Sequence, residues 1–261
     1  MSRSTQSIDS AAELARRFQS LLLEFAEHRT AEASRLSKLL DVFQSGRMKW
    51  AESQRETADD FNLFGVMGVD GNELCHSNVL AWLLDRRIEH GTHAQEKLGF
   101  RLFLEELAPD FQQGDASRVL DYADEPSYWV CREVSGDESR VDVEVAARNK
   151  FLIHIENKIG SSEGKRQTHR EWQDLQARGK ELGVPEFACH GVFLTLDGTP
   201  PKNNNFVAVS WSRIAQVFAR FADEAKPHDV KLFARHYSSK VFRMLIKAER
   251  QKAEVINDDV Q

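Results

Sequence analysis

The sequence has few cysteines and no long hydrophobic run. The first absence argues against a disulfide-rich protein, and the second argues against a membrane-spanning one. Its three cysteines, Cys75, Cys131 and Cys189, are odd in number and far apart, which argues against a disulfide framework and a Cys-x-x-Cys metal or redox motif. No apolar run approaches the roughly 20 residues of a membrane helix. The first residues lead into no apolar signal core. We therefore expect a cytoplasmic protein without a membrane partner.

Positive charge is also in deficit. Lysine and arginine total 35 against 41 acidic residues, a formal net charge of −6. No global positive field attracts nucleic acid, so any binding of that kind must come from a local basic groove. With 41% hydrophobic and 29% charged residues, the chain has the material for a core and a solvated surface, which excludes a disordered protein.

The N-terminal part predicts a helical extension. No proline occurs before Pro109, and apolar residues recur at helical intervals. They are Leu14, Phe18, Leu21, Leu22, Phe25, Leu36, Leu39, Leu40 and Phe43. This pattern predicts one long helix or an antiparallel pair from Ser10 to about Gln44, then a polar connection from Trp50 to Asp60. We expect residues 1–60 to pack on the core or on another copy of the chain, which would make a homo-oligomer.

Residues 61–261 are predicted to form the main domain. Helices are expected at Glu73–Asp85 and Gln95–Leu107, followed by a polar loop from Gln112 to Pro126. Strand-like runs follow at Trp129–Val134, Arg140–Val145, Phe151–Glu156, Gly191–Leu196 and Phe206–Trp211. Further helices are expected up to Gly183, at Ser212–Ala225 and from His228 to about Gln251. This order predicts an α/β sandwich around a mixed sheet, whose first three strands are antiparallel.

Charged residues alternate along the second and third of these strands. Asp142 shares a strand face with Glu144, and Glu156 shares one with Lys158. A hairpin brings Asp142 close to Glu156, which groups two carboxylates with one ammonium. Such oxygen ligands suit Mg²⁺, and a lysine beside the ion can orient or deprotonate water, as hydrolysis of a phosphodiester requires. Alone, the same alternation also fits charge pairs across an exposed antiparallel pair of strands.

The spacing of Asp142 and Glu156-Asn157-Lys158 resembles the PD-(D/E)xK nuclease superfamily. Within it, the chain is most similar to a bacterial group with a Glu-x-x-His-Ser-x-x-Leu-Ala-Trp-Leu-Leu-Asp helix and a His-Gly turn. Here these residues run from Glu73 to Asp85, with His90-Gly91 as the turn. The resemblance covers roughly Asn72 to Trp211. It implies a restriction-endonuclease-like α/β sandwich with a mixed central sheet, joined to the N-terminal helical extension.

Matched residue by residue, the resemblance also implies roles. Asp142 and Glu156 are the implied metal ligands, Glu73 is the helix-borne acid that ligates directly or through water, and Lys158 is the catalytic lysine. The implied cofactor is Mg²⁺, with Mn²⁺ able to substitute. The resemblance implies an Mg²⁺-dependent nuclease, with DNA as substrate and defence against foreign DNA or repair as its setting. The alternative is a nuclease-like fold that has lost catalysis and serves in binding or assembly.

The chain departs from the family pattern at two places. Val141 stands before Asp142, where the superfamily name has proline. Related nucleases carry a glutamine followed four residues later by tyrosine, whereas here Gln167 is followed by Glu171, with Trp172 one place later. Gln167 remains a candidate for positioning the water or the phosphate.

A basic cluster follows the Glu-Asn-Lys strand and offers contacts for a phosphate backbone. It comprises Lys165, Arg166, His169 and Arg170. Helix surfaces carry such runs for solubility as well, and that reading suits a second run near the C-terminus, at Lys240, Arg243, Lys247, Arg250 and Lys252.

Histidines suggest two further sites. Cys75, His76, His90 and His93 could supply zinc ligands, although their spacing matches no standard finger. The alternative is that His76 and Ser77 brace the Glu73 helix. His154 lies on the Glu156 face, as a neighbour of the metal site or as a packing residue.

Overall fold

The computed structural model describes residues 3–57, 61–69, 71–111, 116–239 and 241. The chain divides into two compact units, Met1–Phe61 and Asn62–Gln261. Across the described ranges, no helix combines the length and the apolar character needed to cross a bilayer.

The first unit is built on one helix, α1, which runs from Arg3 to Thr57. Of the two predicted forms, the single long helix is confirmed. The predicted polar connection beginning at Trp50 is wrong as far as Thr57, because alanine, glutamate, glutamine and arginine favour helix whether or not they are buried. Polarity alone therefore did not mark the end of this helix.

The second unit contains helices α2 to α7. They span Leu63–Val66, Glu73–Leu84, Leu98–Leu107, Ala116–Leu120, Gln167–Leu182 and Trp211–Glu224. Short 3₁₀ turns lie at Ala108–Asp110, Asp121–Asp124 and Glu186–Ala188. Residues 228–239 and 241 are also helical. The rest of the predicted last helix, with the basic residues Lys240, Arg243, Lys247, Arg250 and Lys252, lies outside the described residues.

Two predicted boundaries need correction. The helix expected from Gln95 begins at Leu98, because Ala94 and Glu96 have left-handed backbone conformations that a continuous helix does not allow. The expected loop from Gln112 to Pro126 contains α5 and a 3₁₀ turn. Val119 and Ala123 are buried there, so tertiary packing stabilises a segment whose sequence looks like a loop.

A five-stranded sheet forms the centre of the second unit, in the order β1-β2-β3-β4-β5. The strands are Trp129–Ser135, Arg140–Ala147, Phe151–Lys158, Cys189–Thr195 and Phe206–Ser210. The first three pair antiparallel, and β3, β4 and β5 pair parallel. All five predicted strands and the mixed α/β class are confirmed, and α6 supplies the crossover that the parallel pair β3–β4 requires.

Helices cover both faces of the sheet. On one face, Asn157 of β3 contacts α3 and α7, and Phe151 stacks on Phe100 of α4. On the other face, Glu144 and Glu156 meet side chains of α6. The alternation along β2 and β3 thus sends their apolar side chains into the core and their charged side chains beneath α6.

Candidate active site

The predicted acids meet at the end of the β2–β3 hairpin. Val143 pairs with Ile155, so the antiparallel register sets Asp142 across from Glu156, one position further along. Asp142 Oδ2 accepts a hydrogen bond from the backbone N–H of Asn157 at 2.8 Å. Burial raises the pKa of Asp142, and the Asn157 amide and the charge of Lys158 only partly oppose that rise.

Glu156 is the most constrained acid of this group. Its side chain is 3% exposed. Oε1 accepts from Lys158 Nζ at 2.7 Å and from Gln167 Nε2 at 2.5 Å. Oε2 is buried and has no hydrogen-bond partner among the described residues. Burial, with the charges of Glu171 and Asp142 next in size, raises the pKa of Glu156 to about 8.

Lys158 is one of the residues that line a cleft of about 570 Å³. Burial lowers the pKa of this lysine, but the charge and hydrogen bond of Glu156 outweigh that effect and raise the pKa above its ordinary value. The cleft lies where β3, β4 and β5 end, and hydroxyl side chains are frequent in its wall. Its lining includes Ser161, Ser162, Thr195, Thr199, Ser210 and Ser212, with the acids Glu163 and Asp197.

Glu73, at the start of α3, clamps the turn that follows Lys158. Its Oε1 accepts from the backbone N–H groups of Ile159, Gly160 and Ser161 at 2.9, 3.1 and 3.2 Å. The Ser161 hydroxyl donates to the same oxygen at 2.8 Å. Burial raises the pKa of Glu73, yet these donors together outweigh burial and hold the pKa below its ordinary value. The carboxylate is therefore ionised and lies close enough to Lys158 to raise that pKa too.

Asn157 is a buried residue of the site region to which the sequence reasoning assigned no role. Its Oδ1 accepts from Trp211 Nε1 at 3.0 Å, and its Nδ2 donates to the Glu73 carbonyl and to Ser77 Oγ, each at 3.1 Å. It thus ties β3 to α3 and α7, directly between Glu156 and Lys158. Strand alternation was the available signal, because it turns Asn157 to the opposite face, where a polar side chain needs partners.

Gln167 and Glu171 bring α6 to the site. Gln167 Nε2 donates to Glu156 Oε1 and also to Glu171 Oε1 at 2.8 Å. Glu171 is 1% exposed, and its Oε2 is buried without a hydrogen-bond partner in the described part of the chain. Burial is the main cause that raises the pKa of Glu171 to about 7. The sequence reasoning missed Glu171, although a spacing of four residues places it on the helix face of Gln167.

The basic cluster lies at the start of α6. Lys165, Arg166 and His169 are exposed, and Arg170 is half-buried and donates through Nη1 to the Lys165 carbonyl at 2.7 Å. These four residues are not among those that line the cleft. They lie one turn or less before or after Gln167 along the chain, on the solvent side.

The histidines take part in hydrogen bonds. His76 Nδ1 lies 2.6 Å from the Tyr237 hydroxyl. His93 contacts the Leu83 carbonyl through Nε2 and accepts from the Gln95 N–H through Nδ1. His154 contacts Glu144. The described histidine, cysteine, aspartate and glutamate side chains nowhere group by three or more in an arrangement that could hold a metal ion.

The acids nevertheless have the chemistry to hold a hard cation. Two buried carboxylate oxygens, Glu156 Oε2 and Glu171 Oε2, lack the hydrogen bonds that a buried polar atom normally has. Asp142 lies close enough for its charge to raise the pKa of both glutamates. Carboxylate oxygens are the ligands that Mg²⁺ and Mn²⁺ prefer, so the residues present fit such an ion.

Comparison with known proteins found one family. A family model described as the PD-(D/E)XK nuclease superfamily matches residues 61–254. No curated protein and no solved structure matched the chain.

Proposed function

The chain belongs to the PD-(D/E)XK nuclease superfamily, and from this premise we propose that it is a divalent-metal-dependent nuclease that hydrolyses the phosphodiester bonds of DNA. Its sheet and flanking helices form a restriction-endonuclease-like fold. The observation that carries the proposal is the meeting of Asp142, Glu156 and Lys158 beside the cleft.

In this proposal Asp142 and Glu156 would hold the ion, and Glu73 would contribute directly or through a water. When bound, Mg²⁺ or Mn²⁺ would act as a Lewis acid and would lower the pKa of water. The neutral form of Glu156 is favoured only by burial and by neighbouring acids, so a cation that offsets those charges favours the ionised form.

Lys158 acts on the substrate as an ammonium. Its raised pKa keeps it protonated at neutral pH, so we assign it orientation of the attacking water and stabilisation of negative charge on the phosphoryl oxygens. The turn at 159–161, which Glu73 holds through hydrogen bonds, follows the lysine directly and helps to keep it in the wall of the cleft. Gln167 fixes the Glu156 carboxylate by donating to Oε1.

The proposal is tested by cleavage assays on the purified chain. Linear, supercoiled and single-stranded DNA, and RNA, are incubated with Mg²⁺ or Mn²⁺. We expect metal-dependent cleavage of DNA and a loss of roughly 10²- to 10⁴-fold in Lys158→Ala. Lys150→Ala, which changes an exposed lysine on the β2–β3 turn, is the matched control and should cleave normally. Equal activity in Lys158→Ala and wild type on every substrate would exclude this mechanism.

A biological setting can also be proposed for this activity. We propose a cytoplasmic role in defence against foreign DNA or in DNA repair, since both need regulated hydrolysis of phosphodiesters. Measuring phage plaque counts and survival after DNA damage, in cells with and without the active chain, distinguishes the two. No difference in either assay would refute both settings.

A second candidate function is assembly through α1. Leu36, Leu39 and Phe43 recur on this helix and are 61%, 69% and 62% exposed. Large apolar side chains in such a row are typical of a surface that another copy of the chain covers. Light scattering should then give a multiple of the 29.8 kDa chain mass, and Leu39→Asp should reduce it. The control is Ser37→Asp, and a monomeric wild type would refute the assembly.

A further inference from the structure

We propose that Glu171 is an additional ligand for the divalent cation, so that the ion is held between β3 and α6 rather than by the hairpin acids alone. This inference rests on the proposed function and extends its site to a residue of the crossover helix. The ligand it concerns is a hard divalent ion, Mg²⁺ or Mn²⁺.

One amide aligns the two glutamates. Gln167 Nε2 donates to Glu156 Oε1 at 2.5 Å and to Glu171 Oε1 at 2.8 Å. The Gln167 side chain is itself held, because its Oε1 accepts from the Gly164 N–H at 3.0 Å. The two carboxylates therefore flank a single fixed donor, and each has a second oxygen left over.

Those second oxygens receive no hydrogen bond from an N–H or hydroxyl donor in the described chain. Glu156 and Glu171 are 3% and 1% exposed, Oε2 of each is buried, and the two carboxyl groups lie close enough to hydrogen-bond to each other when one is protonated. The nearby ammonium of Lys158 bonds to Oε1 of Glu156. A buried carboxylate oxygen without a partner is costly, and a cation that both oxygens contact would remove that cost for both.

The charge at this end of the sheet also favours a divalent ion. Glu73, Asp142, Glu156 and Glu171 carry four negative charges when ionised, and Lys158 carries one positive charge, so the sum is −4 + 1 = −3. These acids raise or lower the pKa values of one another and of Lys158, so the five groups share one electrostatic environment. A single Mg²⁺ or Mn²⁺ offsets two of the three net negative charges.

The position of Glu171 is rigid. Further along α6, Asp174 accepts from the backbone N–H groups of Asp137 and Glu138 at the β1–β2 turn, and Arg178 contacts Glu144 of β2. These anchors hold α6 on the sheet without using Glu171. The Glu171 carboxylate is thus directed at Glu156 by a helix that other residues keep in place, as a ligand requires.

The test measures Mn²⁺ binding by calorimetry and by electron paramagnetic resonance, without substrate. We expect Glu171→Gln to weaken Mn²⁺ binding at least tenfold, which corresponds to about 1.4 kcal/mol. Glu181→Gln, an exposed change on the same helix, is the matched control and should bind as the wild type does. Far-ultraviolet circular dichroism and the melting temperature of each ion-free variant verify that it is folded.

Asp142→Asn separates this inference from the function on which it rests. If Asp142→Asn loses Mn²⁺ binding and Glu171→Gln retains it, Glu171 is not a ligand and the proposed function stands. If wild-type chain binds no Mn²⁺, or Asp142→Asn binds it normally, the metal site of the proposed function is itself wrong. Weakened binding in Glu171→Asp, with affinity between wild type and Glu171→Gln, would support ligation over a purely electrostatic effect.

Discussion

Two buried glutamates on the same face of the sheet, both beneath α6, have opposite electrostatic settings. Glu144 of β2 is 0% exposed, and its Oε2 lies 3.2 Å from His154 Nε2 and 3.3 Å from Arg178 Nε. Burial raises the pKa of Glu144, but these partners outweigh burial and lower it. Glu156 of β3 is buried to almost the same degree, and its pKa rises to about 8.

The difference lies in the partners, since burial is nearly equal. Arg178 and His154 satisfy both oxygens of Glu144, so that end of the interface is a closed ion-pair network. At the other end, Lys158 and Gln167 both use one oxygen of Glu156, and acids surround the rest. The ion pairs of Glu144 stabilise the fold. Around Glu156, buried acids lie close together, and a bound cation would reduce the repulsion between them.

The largest expected effect is the loss of DNA cleavage when Glu156 is replaced, and it is compared with replacement of Glu144. Glu156→Gln should lower DNA cleavage by at least about 10³-fold, or about 4 kcal/mol in transition-state stabilisation, because it removes a proposed metal ligand. Stability without metal should stay equal or rise, since folding no longer has to protonate a buried carboxyl that is ionised in the unfolded chain. Glu144→Gln should do the reverse, with lower stability and retained cleavage. Paired cleavage assays and urea unfolding measure both. Parallel losses of stability in the two variants would contradict the contrast.

The next effect concerns stability and the ion pairs of Glu144. Arg178→Met removes the guanidinium and leaves Glu144 with His154 as its remaining partner. Because Arg178 is partly exposed to solvent, we expect a loss of about 2 kcal/mol in the free energy of unfolding, below the usual range for a broken buried pair. Urea unfolding measures it. Lys180→Met, an exposed change on the same helix, should cost almost nothing; equal losses would argue against the ion pair.

A smaller effect is expected in the pH dependence of the free energy of unfolding, measured with a chelator present to remove divalent ions. The folded pKa values of Glu156 and Glu171, about 8 and about 7, exceed the ordinary value of 4.5. The folded state therefore binds more protons than the unfolded state above that value, and stability falls as pH rises through 7 and 8. We expect a slope of about 1 kcal/mol per pH unit there.

The control for this slope is Glu171→Gln. Removing one of the two acids should flatten the loss between pH 6 and pH 8.5, measured by urea unfolding at each pH. Glu144 acts in the opposite direction, because its lowered pKa gives stability that is lost only as pH falls below the ordinary glutamate range. A stability that rises through pH 7 and 8 would contradict the assigned shifts.

The smallest effect concerns DNA affinity and the basic cluster at the start of α6. Three phosphate contacts from the exposed cluster predict a slope near −3 for the logarithm of affinity against the logarithm of salt, at about −0.9 per contact. The double variant Lys165→Ala, Arg166→Ala should flatten that slope by about two units. It should also weaken binding to DNA of every sequence to a similar degree. Lys180→Ala, in the last turn of α6, is the control. An unaltered slope in the double variant would place the DNA contacts elsewhere.

Much of the second unit was predictable because its signals are local. Strand alternation and turn residues predicted β1 to β5, and the helical periodicity predicted α3, α6 and α7. The segment from Gln112 to Pro126 was not predictable in the same way. Its short helix depends on burial of Val119 and Ala123 against the rest of the unit, and no local pattern reports that contact.

By itself, the sequence determined which charged residues share a strand face. Because side chains alternate along a strand and an antiparallel hairpin was expected, the sequence predicted that Asp142, Glu156 and Lys158 could share one patch. Only the tertiary structure decided which of their oxygens are satisfied. Glu73 reaches Ile159 across 86 positions of the chain, and the partners of Glu156 and Glu144 on α6 are chosen by how that helix packs. Hydrogen bonds between distant elements depend on packing geometry, which no local spacing encodes.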